Sequence, residues 1–405
     1  MTGRLLQPLA TPADETVLDL LGPLRQALNG SGPALLPFAA ELAPAAALRP
    51  GQPLDPDEDD PHDPTVAVLA TSGSTGAAKG VLLPASALIA SVSASHDRLG
   101  GPGRWLLALR AHHVAGLQVL VRCLVSGTVP ATLDLSDGFH PDAFAEAAAR
   151  VRAPRRYTAL VPTQLVRLLE AGGGPLEALA GFDAVLIGGA ATPGGLLDRA
   201  RAAGVRVVTT YGMSETCGGC VYDGRPLDAV QVDVDPTGRI SLGGPTVARG
   251  YRRAEGPAPE QPSAEQPFAV DASGTRWFRT DDAGELAADG RLAVLGRLDD
   301  AVTTGGLTFA AAAVEEALLD LPGVAEAVAV GAADPTWGQR MVAVLVLRSG
   351  APSPTLAQAR AVVGARIEPA AAPQQLLVLD RLPLRGPGKP DRAALTRLAE
   401  RSERV

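Results

Sequence analysis

The segment TSGSTGAAKG, residues 71–80, follows a short apolar run, TVAVLA, at residues 65–70. Its glycines permit a turn in which backbone N–H groups converge, its four hydroxyl side chains add donors, and its lysine supplies a point charge. This chemistry suits a polyphosphate. The spacing differs from that of a Walker A loop, where Ser or Thr follows Gly-Lys. A Ser/Gly-rich turn alone would suggest a linker. Its place directly after a predicted strand favours a phosphate-binding loop instead.

Lysine is rare in this chain of 405 residues. Of its 36 basic residues only Lys79 and Lys389 are lysine, and the other 34 are arginine. Arginine replaces lysine for solubility and surface pairing, but not where a compact ammonium must fit a tight site. The two lysines are therefore candidates for functional residues. The alternative is that they are accidents of an arginine-favouring composition.

The composition argues against several classes of protein. The net charge is −8 and there is no basic stripe, which argues against a nucleic-acid binder. No uncharged apolar run reaches the roughly 18 residues of a membrane span, and no signal-peptide core is evident. Three cysteines do not make a disulfide scaffold, which predicts a reducing, cytoplasmic location.

Apolar runs alternate with helical patterns from residue 65 onwards. Predicted strands at residues 184–187 and 205–209 end at Gly188-Gly189 and Tyr211-Gly212. Strands that alternate with helices predict an α/β fold with mainly parallel sheets flanked by helices, and ligands collect after the carboxyl ends of such strands. The first 65 residues, by contrast, suggest helices joined by proline-rich connections, and Thr163 is placed to cap a helix.

The character of the chain changes after residue 300. The pattern there predicts a small α+β module, with helical spacing at residues 310–318, strands at 324–330 and 341–347, and a helix at 355–367. Before it, Asp289-Gly290 is a hairpin turn signal between two strands. We therefore predict a large N-terminal domain, residues 1–298, and a small C-terminal domain, residues 299–405.

Several motifs, in order, resemble those of the adenylate-forming superfamily, which comprises acyl- and aryl-CoA synthetases, peptide-synthetase adenylation domains and firefly luciferase. The similarity covers residues 65–395 and implies a mobile C-terminal domain after a hinge. The matching segments are the phosphate loop (71–80), the adenine-side loop GGA (188–190), YGMSET (211–216), WFRTDD (277–282), the hinge GRLDD (296–300) and the C-terminal lysine motif PGKPDR (387–392).

The resemblance implies a role for individual residues. Lys389 would catalyse adenylation, Glu215 would bind Mg²⁺, His113 would act near the acyl pocket, and Asp299 would be the hinge. The residues expected to bind ATP are Thr71, Ser72, Gly73, Ser74, Thr75, Gly76, Lys79, Gly189, Ala190, Tyr211, Gly212, Thr216, Asp282 and Arg297. Those expected to line the acyl pocket are His113, Gln118, Thr163, Gln164, Gly188, Met213, Ser214, Gly218 and Gly219.

Three positions depart from the family pattern. Ala78 replaces the usual proline of the phosphate loop, and Leu307 replaces a glutamate after the hinge. Asp281 stands where the family usually has glycine, so that both Asp281 and Asp282 are open as the ribose ligand, with Asp282 preferred.

Residues 111–118 and 213–220 together resemble the compact bacterial o-succinylbenzoate–CoA ligases of menaquinone biosynthesis. This implies an acid–thiol ligase that uses ATP, Mg²⁺ and coenzyme A, forms an acyl-adenylate, and releases AMP and pyrophosphate. The expected partners are these small molecules, with no nucleic acid and no membrane span, and a homodimer is left open. The alternatives are another aryl- or fatty-acyl-CoA ligase, a stand-alone enzyme that loads a carrier protein, or a non-catalytic nucleotide-binding regulator.

Two details of the acyl pocket stay open at this point. The second carboxylate of a dianionic substrate could be recognised by His113, Arg110, Gln118 or Arg122. The CxxC at residues 217–220 has no second pair and no nearby histidine, so a zinc or redox role is unsupported and a place in the pocket wall is favoured.

Overall fold

The computed structural model describes residues 3–72, 78–252, 266–384 and 390–402. The chain forms two units. The first comprises residues 1–233, 241–279 and 289–292, and the second comprises residues 234–240, 280–288 and 293–405. The second unit thus takes in the C-terminal segment 299–405 together with three short stretches that precede it. The domain boundary after residue 298 stays a prediction.

The first sheet contains the strand that precedes the phosphate loop. Its order is β1-β2-β3-β4-β14, with β1, β2 and β3 parallel and both neighbours of β4 antiparallel to it. The strands are β1 (Leu6–Thr11), β2 (Ala34–Ala39), β3 (Thr65–Ser72), β4 (Ala78–Pro84) and β14 (Gly250–Arg252), and helix α1 (Leu21–Leu28) lies between β1 and β2.

The prediction that helices alone make up the first 65 residues is wrong, because β1 and β2 are strands. Residues 34–36 of β2 are at most 1% exposed. A short apolar run of this kind is buried on both faces, and its periodicity cannot distinguish a strand from a helix.

The second sheet is the predicted, largely parallel one. Its order is β11-β10-β9-β8-β7-β5-β6, in which β5 to β9 are parallel and β10 and β11 are antiparallel. The strands are β5 (Arg104–Leu107), β6 (Ala131–Thr132), β7 (Arg156–Leu160), β8 (Ala184–Ile187), β9 (Val207–Met213), β10 (Gly218–Tyr222) and β11 (Arg225–Pro226). The α/β fold class is confirmed.

Helices flank this sheet and bury its apolar strands. They are α2 (Ala85–Arg98), α3 (Val114–Val125), α4 (Pro141–Ala149), α5 (Pro162–Ala171), α6 (Gly173–Ala180) and α7 (Gly194–Ala202). One core joins Leu106, Phe144, Phe182 and Val185, each at most 2% exposed, and each such side chain stabilises the fold by about 1.5–3 kcal/mol. Helix α5 begins at Pro162 after Val161, so the prediction that Thr163 caps it is wrong.

A third sheet has five strands, all between residues 231 and 297. Its order is β12-β13-β16-β15, with β17 paired to β16. The strands are β12 (Gln231–Val234), β13 (Arg239–Gly243), β15 (Phe268–Val270), β16 (Arg276–Leu286) and β17 (Leu292–Arg297). The predicted turn at Asp289-Gly290 connects β16 to β17, and Gly290 has a φ of 79°.

The C-terminal part of the second unit is the predicted α+β module. Its sheet has the order β19-β18-β21-β20, with β22 parallel to β21. The elements are β18 (Val302–Thr304), β19 (Leu307–Phe309), α8 (Ala311–Leu318), β20 (Val324–Asp334), β21 (Gly338–Leu347), α9 (Leu356–Arg366), β22 (Gln375–Leu379) and α10 (Arg392–Arg401).

Strand β21 separates two cores in this module. Met341, Ala343 and Leu345 pack in one core, whereas Val342 and Val344 pack in the other. Since successive strand side chains point to opposite faces, a continuous apolar run is what a sheet covered on both faces requires. None of the helices in the described ranges is long and apolar enough to cross a membrane.

Candidate active site

Four loops with predicted site residues follow neighbouring parallel strands of the second sheet. Strands β9, β8, β7 and β5 are adjacent in that order, and their carboxyl ends lie at one edge. The YGMSET motif spans the end of β9 and the turn after it, Gly188 follows β8, Thr163 follows β7, and His113 follows β5. The fold therefore brings the adenine-side loop, the YGMSET motif and most of the predicted acyl pocket to one edge.

The loop after β8 requires glycine because β9 approaches it closely. A Cβ at Gly188 would lie 2.3 Å from the Thr210 hydroxyl oxygen, and Gly189 has a φ of 82°. Both are conditions that only glycine meets without strain. Gly189 and Ala190 are exposed, and their contact with adenine stays a prediction.

The YGMSET turn is held by close backbone packing and by one hydroxyl. A Cβ at Gly212 would lie 2.2 Å from the carbonyl oxygen of Gly218 on the antiparallel strand β10. The Thr216 hydroxyl is buried, accepts the Met213 N–H at 3.0 Å and donates to the Gly218 carbonyl at 2.8 Å. Thr216 therefore shapes the turn that presents Glu215, and its predicted contact with the nucleotide stays a prediction.

Glu215 is 9% exposed and is tethered twice to the strand β14 region. Its Oε1 accepts a hydrogen bond from the Tyr251 hydroxyl at 2.7 Å, and its carbonyl accepts one from the Ala248 N–H at 2.8 Å. The Lys79 ammonium lies 5.4 Å from the centroid of the Tyr251 ring. Tyr251, which the sequence did not single out, thus connects the predicted phosphate-loop lysine to the predicted Mg²⁺ ligand.

The donor chemistry at Glu215 fits Mg²⁺. This ion prefers hard oxygen ligands and is typically held by one or two carboxylates together with substrate phosphates rather than by a complete protein cage. Glu215 would hold the ion, which would neutralise phosphate charge and polarise the phosphoryl group when bound.

The flanks of the phosphate loop are fixed by strand pairing. Thr71 lies opposite Lys79 in the β3–β4 pair, and Ser72 lies opposite Ala78. The Thr71 hydroxyl donates to the Lys79 carbonyl at 3.3 Å, and Lys79 itself is exposed. Four residues predicted to contact phosphate lie outside the described residues: Gly73, Ser74, Thr75 and Gly76.

The His-His pair lies at the start of α3. His113 precedes the helix, and its ring centroid is 4.1 Å from that of His112. It is His112 whose Nδ1 lies 3.0 Å from the Thr11 hydroxyl. Burial lowers the pKa of His112, so its neutral form is favoured. A catalytic role for His113 stays a prediction.

Gln118 and Gly218, both predicted to line the acyl pocket, lie close together. The buried Gln118 amide donates to the Cys217 carbonyl at 2.6 Å, and a Cβ at Gly218 would lie 3.5 Å from Gln118 Cγ. Cys217 and Cys220 are buried free thiols, and burial raises the pKa of Cys217 and raises that of Cys220 to about 12. Thiols this far from ionisation are poor nucleophiles and metal ligands, in keeping with a place in a pocket wall.

Another predicted pocket residue, Gln164, already forms hydrogen bonds within the protein. Gln164 is buried, accepts the Val161 N–H at 3.0 Å and donates to the Ala108 carbonyl at 2.9 Å, so it ties the β7 loop to the β5 loop. Thr163 is exposed in the first turn of α5.

The two arginine candidates for the second carboxylate also have partners. Arg110 forms an ion pair with Glu41 at 3.3 Å. The Arg122 guanidinium is buried 4.7 Å from the Trp105 ring, with one nitrogen 3.3 Å from the Ser95 hydroxyl. The choice among the four candidates therefore stays open.

The predicted ribose ligands and hinge form a charge cluster in the second unit. Arg297 binds Asp299 through two parallel contacts, Nε to Oδ1 at 2.6 Å and a terminal nitrogen to Oδ2 at 2.7 Å. Arg297 also lies 3.4 Å from Asp281 and 3.9 Å from Asp282. This pairing raises the pKa of Arg297 and lowers that of Asp299. Asp281 is further engaged by Arg239 at 3.2 Å.

Lys389 lies outside the described residues, whereas the residues just after it are well anchored. Asp391 caps α10 by accepting the Ala394 N–H at 3.0 Å. Arg392 pairs with Asp300 at 2.9 Å and with Glu315 at 2.7 Å. Asp300, directly after the predicted hinge, is therefore paired with Arg392, which lies three positions after the predicted catalytic lysine.

The chain is similar to known proteins over most of its length. The family described as "AMP-binding enzyme" matches residues 33–252, more than half of the chain, and its C-terminal domain matches residues 313–389. A relative from Mycobacterium tuberculosis named "Probable 2-succinylbenzoate--CoA ligase" is 46% identical over 395 residues, which is 97% of this chain and 98% of the relative. The 2-succinylbenzoate–CoA ligase of Geobacillus kaustophilus is 31% identical over 94% of this chain and 78% of its own length.

Solved structures of other proteins have the same fold as this chain. The o-succinylbenzoate CoA synthetase of Bacillus subtilis, solved with its acyl-adenylate intermediate, matches with a TM-score of 0.70 and 26% identity over 96% of this chain and 82% of that one. ATP-bound MatB from Rhodopseudomonas palustris matches with a TM-score of 0.79 over 99% of this chain and 90% of that one, and at 21% identity it supports the fold alone.

Proposed function

Because the chain belongs to the family of AMP-binding enzymes, we propose that it is an o-succinylbenzoate–CoA ligase of menaquinone biosynthesis. It would convert ATP, o-succinylbenzoate and coenzyme A into o-succinylbenzoyl-CoA, AMP and pyrophosphate. The observation that carries this proposal is the contact chain Lys79–Tyr251–Glu215, which joins a phosphate-binding lysine to a metal-binding carboxylate beside the sheet edge. The near-full-length relative from Mycobacterium tuberculosis supports the choice of acid.

The first half-reaction is proposed to form the acyl-adenylate. A carboxylate oxygen of the acid attacks the α-phosphorus of ATP, the bond from that phosphorus to the β-phosphate oxygen breaks, and pyrophosphate leaves without a proton transfer. Both reactants are anions, so Lys389 is assigned to stabilise the developing charge between them, and Lys79 is assigned to hold the terminal phosphates. The sheet-edge loops at Gly188 and Tyr211 would hold the nucleotide in place.

The second half-reaction is proposed to make the thioester. The sulfur of coenzyme A attacks the acyl carbonyl carbon, the carbon–oxygen bond to the phosphate of AMP breaks, and the thiol proton passes to solvent. Withdrawal of Lys389 by a change in backbone at Asp299 would make room for the thiol, with residues 299–405 as the mobile domain. Pocket residues such as Gln118 and Gly218 would line the acyl group.

The remaining assignments extend the same proposal. Asp282 is assigned to the ribose hydroxyls, because a carboxylate offers two acceptor oxygens and this side chain is the less exposed of the two aspartates. A cytoplasmic location fits the three thiols, all of which are free. A homodimer stays open.

A substrate panel tests the proposal. The protein is incubated with ATP and Mg²⁺ and with o-succinylbenzoate, benzoate or a medium-chain fatty acid, each with coenzyme A or with a phosphopantetheinyl carrier protein. We expect pyrophosphate release and a CoA thioester with o-succinylbenzoate. A thioester from another acid alone, or on the carrier alone, would assign a different ligase. No pyrophosphate release with any acid would favour a non-catalytic nucleotide-binding protein.

A further inference from the structure

Tyr251 lies directly across a strand pair from the predicted phosphate loop. It is opposite Val81 in the antiparallel pairing of β14 with β4. Lys79 is two residues before Val81, so its side chain is on the same face of the sheet as that of Tyr251. This register explains why the Lys79 ammonium lies 5.4 Å from the Tyr251 ring centroid, within the range of a cation–π contact.

The hydroxyl of the same tyrosine reaches Glu215, which lies in the short turn between β9 and β10 of the second sheet. It donates to Oε1 of Glu215 at 2.7 Å, and the nearby Ala248 N–H donates to the Glu215 carbonyl at 2.8 Å. Backbone and side chain of Glu215 are therefore both held by residues 248–251. A hydroxyl donor on one carboxylate oxygen fixes the rotation of the group and hence the direction of the other oxygen.

The neighbours of Tyr251 hold its ring in place. Arg252, 3% exposed, donates to the Leu48 carbonyl at 2.7 Å and pairs with the buried Glu58. On the side of the ring, Phe268 packs edge-on with a centroid distance of 5.1 Å. The tyrosine is thus anchored by its strand and by an aromatic neighbour, so its two contacts are made from a defined position.

We propose that Tyr251 is a positioning residue that sets the Mg²⁺ ligand and the phosphate-loop lysine relative to each other. Its hydroxyl orients the Glu215 carboxylate for the metal, and its ring face holds the Lys79 ammonium for the phosphates. The inference rests on the proposed function, because Mg²⁺–ATP is the ligand that would need both charges. The proposal predicts two separable effects. The Tyr251 hydroxyl governs metal affinity, and the Tyr251 ring governs nucleotide affinity.

The binding of metal and the binding of nucleotide are each measured without catalytic turnover. Mn²⁺ is titrated by electron paramagnetic resonance in the presence of a non-hydrolysable ATP analogue, and binding of the analogue alone is measured with EDTA present. We expect Tyr251→Phe to weaken Mn²⁺ binding about tenfold, the usual scale for loss of a partner behind a metal ligand, and to leave metal-free analogue binding unchanged. Tyr251→Leu should weaken both.

Tyr157→Phe is the matched control, because it also removes a hydroxyl bonded inside the fold, here to the carbonyls of Leu99 at 3.0 Å and Gly101 at 3.1 Å. It should leave both affinities unchanged. In a Glu215→Gln background, Tyr251→Phe should add little further loss, because its target is already altered. Mn²⁺ binding by Tyr251→Phe at the wild-type level, or full additivity with Glu215→Gln, would overturn the inference. Wild-type protein that binds no Mn²⁺–nucleotide would instead overturn the proposed function, and the inference with it.

Discussion

The guanidinium of Arg297 and the carboxylate of Asp299 form a two-pronged ion pair, with nitrogen–oxygen distances of 2.6 and 2.7 Å. The two residues are only two positions apart, and the second is the proposed hinge. The same guanidinium lies 3.9 Å from Asp282, the proposed ribose ligand. One planar cation therefore connects the predicted nucleotide contact to the predicted hinge, and a change of backbone direction at Asp299 would alter this geometry.

Replacement of Arg297 by lysine should weaken use of ATP. A lysine keeps the charge but cannot make two parallel bonds to Asp299 while also facing Asp282. We expect the KM for ATP, measured by pyrophosphate release, to rise about tenfold, which corresponds to about 1.4 kcal/mol. Arg225→Lys is the control, since Arg225 forms an exposed pair with Asp289 at 3.2 Å. An unchanged KM in the Arg297 variant, or an equal rise in the control, would contradict the assignment.

Lys389→Ala should separate the two half-reactions. Loss of the ammonium removes charge stabilisation from adenylation, and we expect that step to slow by about 100-fold or more, as for other preorganised charge-stabilising groups. Thioester formation from supplied o-succinylbenzoyl-AMP should be largely retained, as measured by mass spectrometry of the CoA product. Lys79→Arg gives the contrast, because it should raise the KM for ATP. Equal loss of both half-reactions in Lys389→Ala would argue against a change of domain orientation.

Gly212→Ala should destabilise the protein through a steric conflict. The added methyl would lie 2.2 Å from the Gly218 carbonyl oxygen, so strands β9 and β10 must separate around the turn that carries Glu215. We expect the free energy of unfolding to fall by about 1–3 kcal/mol in denaturant titration. Gly195→Ala provides the control: this helical glycine has no atom within 4 Å of the added methyl, and alanine there should stabilise α7 by about 0.5–1 kcal/mol. Equal effects at the two positions would refute the packing argument.

His96 should make the protein less stable on mild acidification. It is 8% exposed near the end of α2, and its pKa is lowered below 6.5 first by burial and then by Arg122, against a smaller opposing effect of Asp97. Below pH 6.5 the unfolded chain binds a proton that the folded chain does not, so the free energy of unfolding falls as the pH falls towards the folded-state pKa.

The pH dependence of unfolding in denaturant tests this reasoning. His96→Gln should reduce the slope of the unfolding free energy against pH in the region below 6.5. His62→Gln, at an exposed histidine, serves as the control and should leave the slope as it is in the wild type. His112 has a lowered pKa from the same cause, so a residual slope is expected in the His96 variant. An unchanged slope in His96→Gln would show that its burial does not matter for acid stability.

Features that depend on the local order of residues could be predicted from the amino-acid sequence. The strand at residues 184–187 matches β8, and the helix predicted at 355–367 matches α9 within a residue at each end. The glycines at 188 and 212 stand where neighbouring strands leave no room for a side chain. Periodicity and turn chemistry are encoded within a few residues, so they can be read before the fold is known.

Which polar side chains form hydrogen bonds within the protein depends on contacts between distant parts of the chain. Gln164 and Thr216 fit a ligand-binding motif in sequence, yet their side chains bond to the backbone of their own or neighbouring loops. Tyr251 has no local signal, because its partners, Lys79 on β4 and Glu215 in the turn between β9 and β10, are far from it in the chain. Hydrogen-bond partners and charge pairs between sheets are set by register and by sheet order, and a pattern of neighbouring residues carries no information about either.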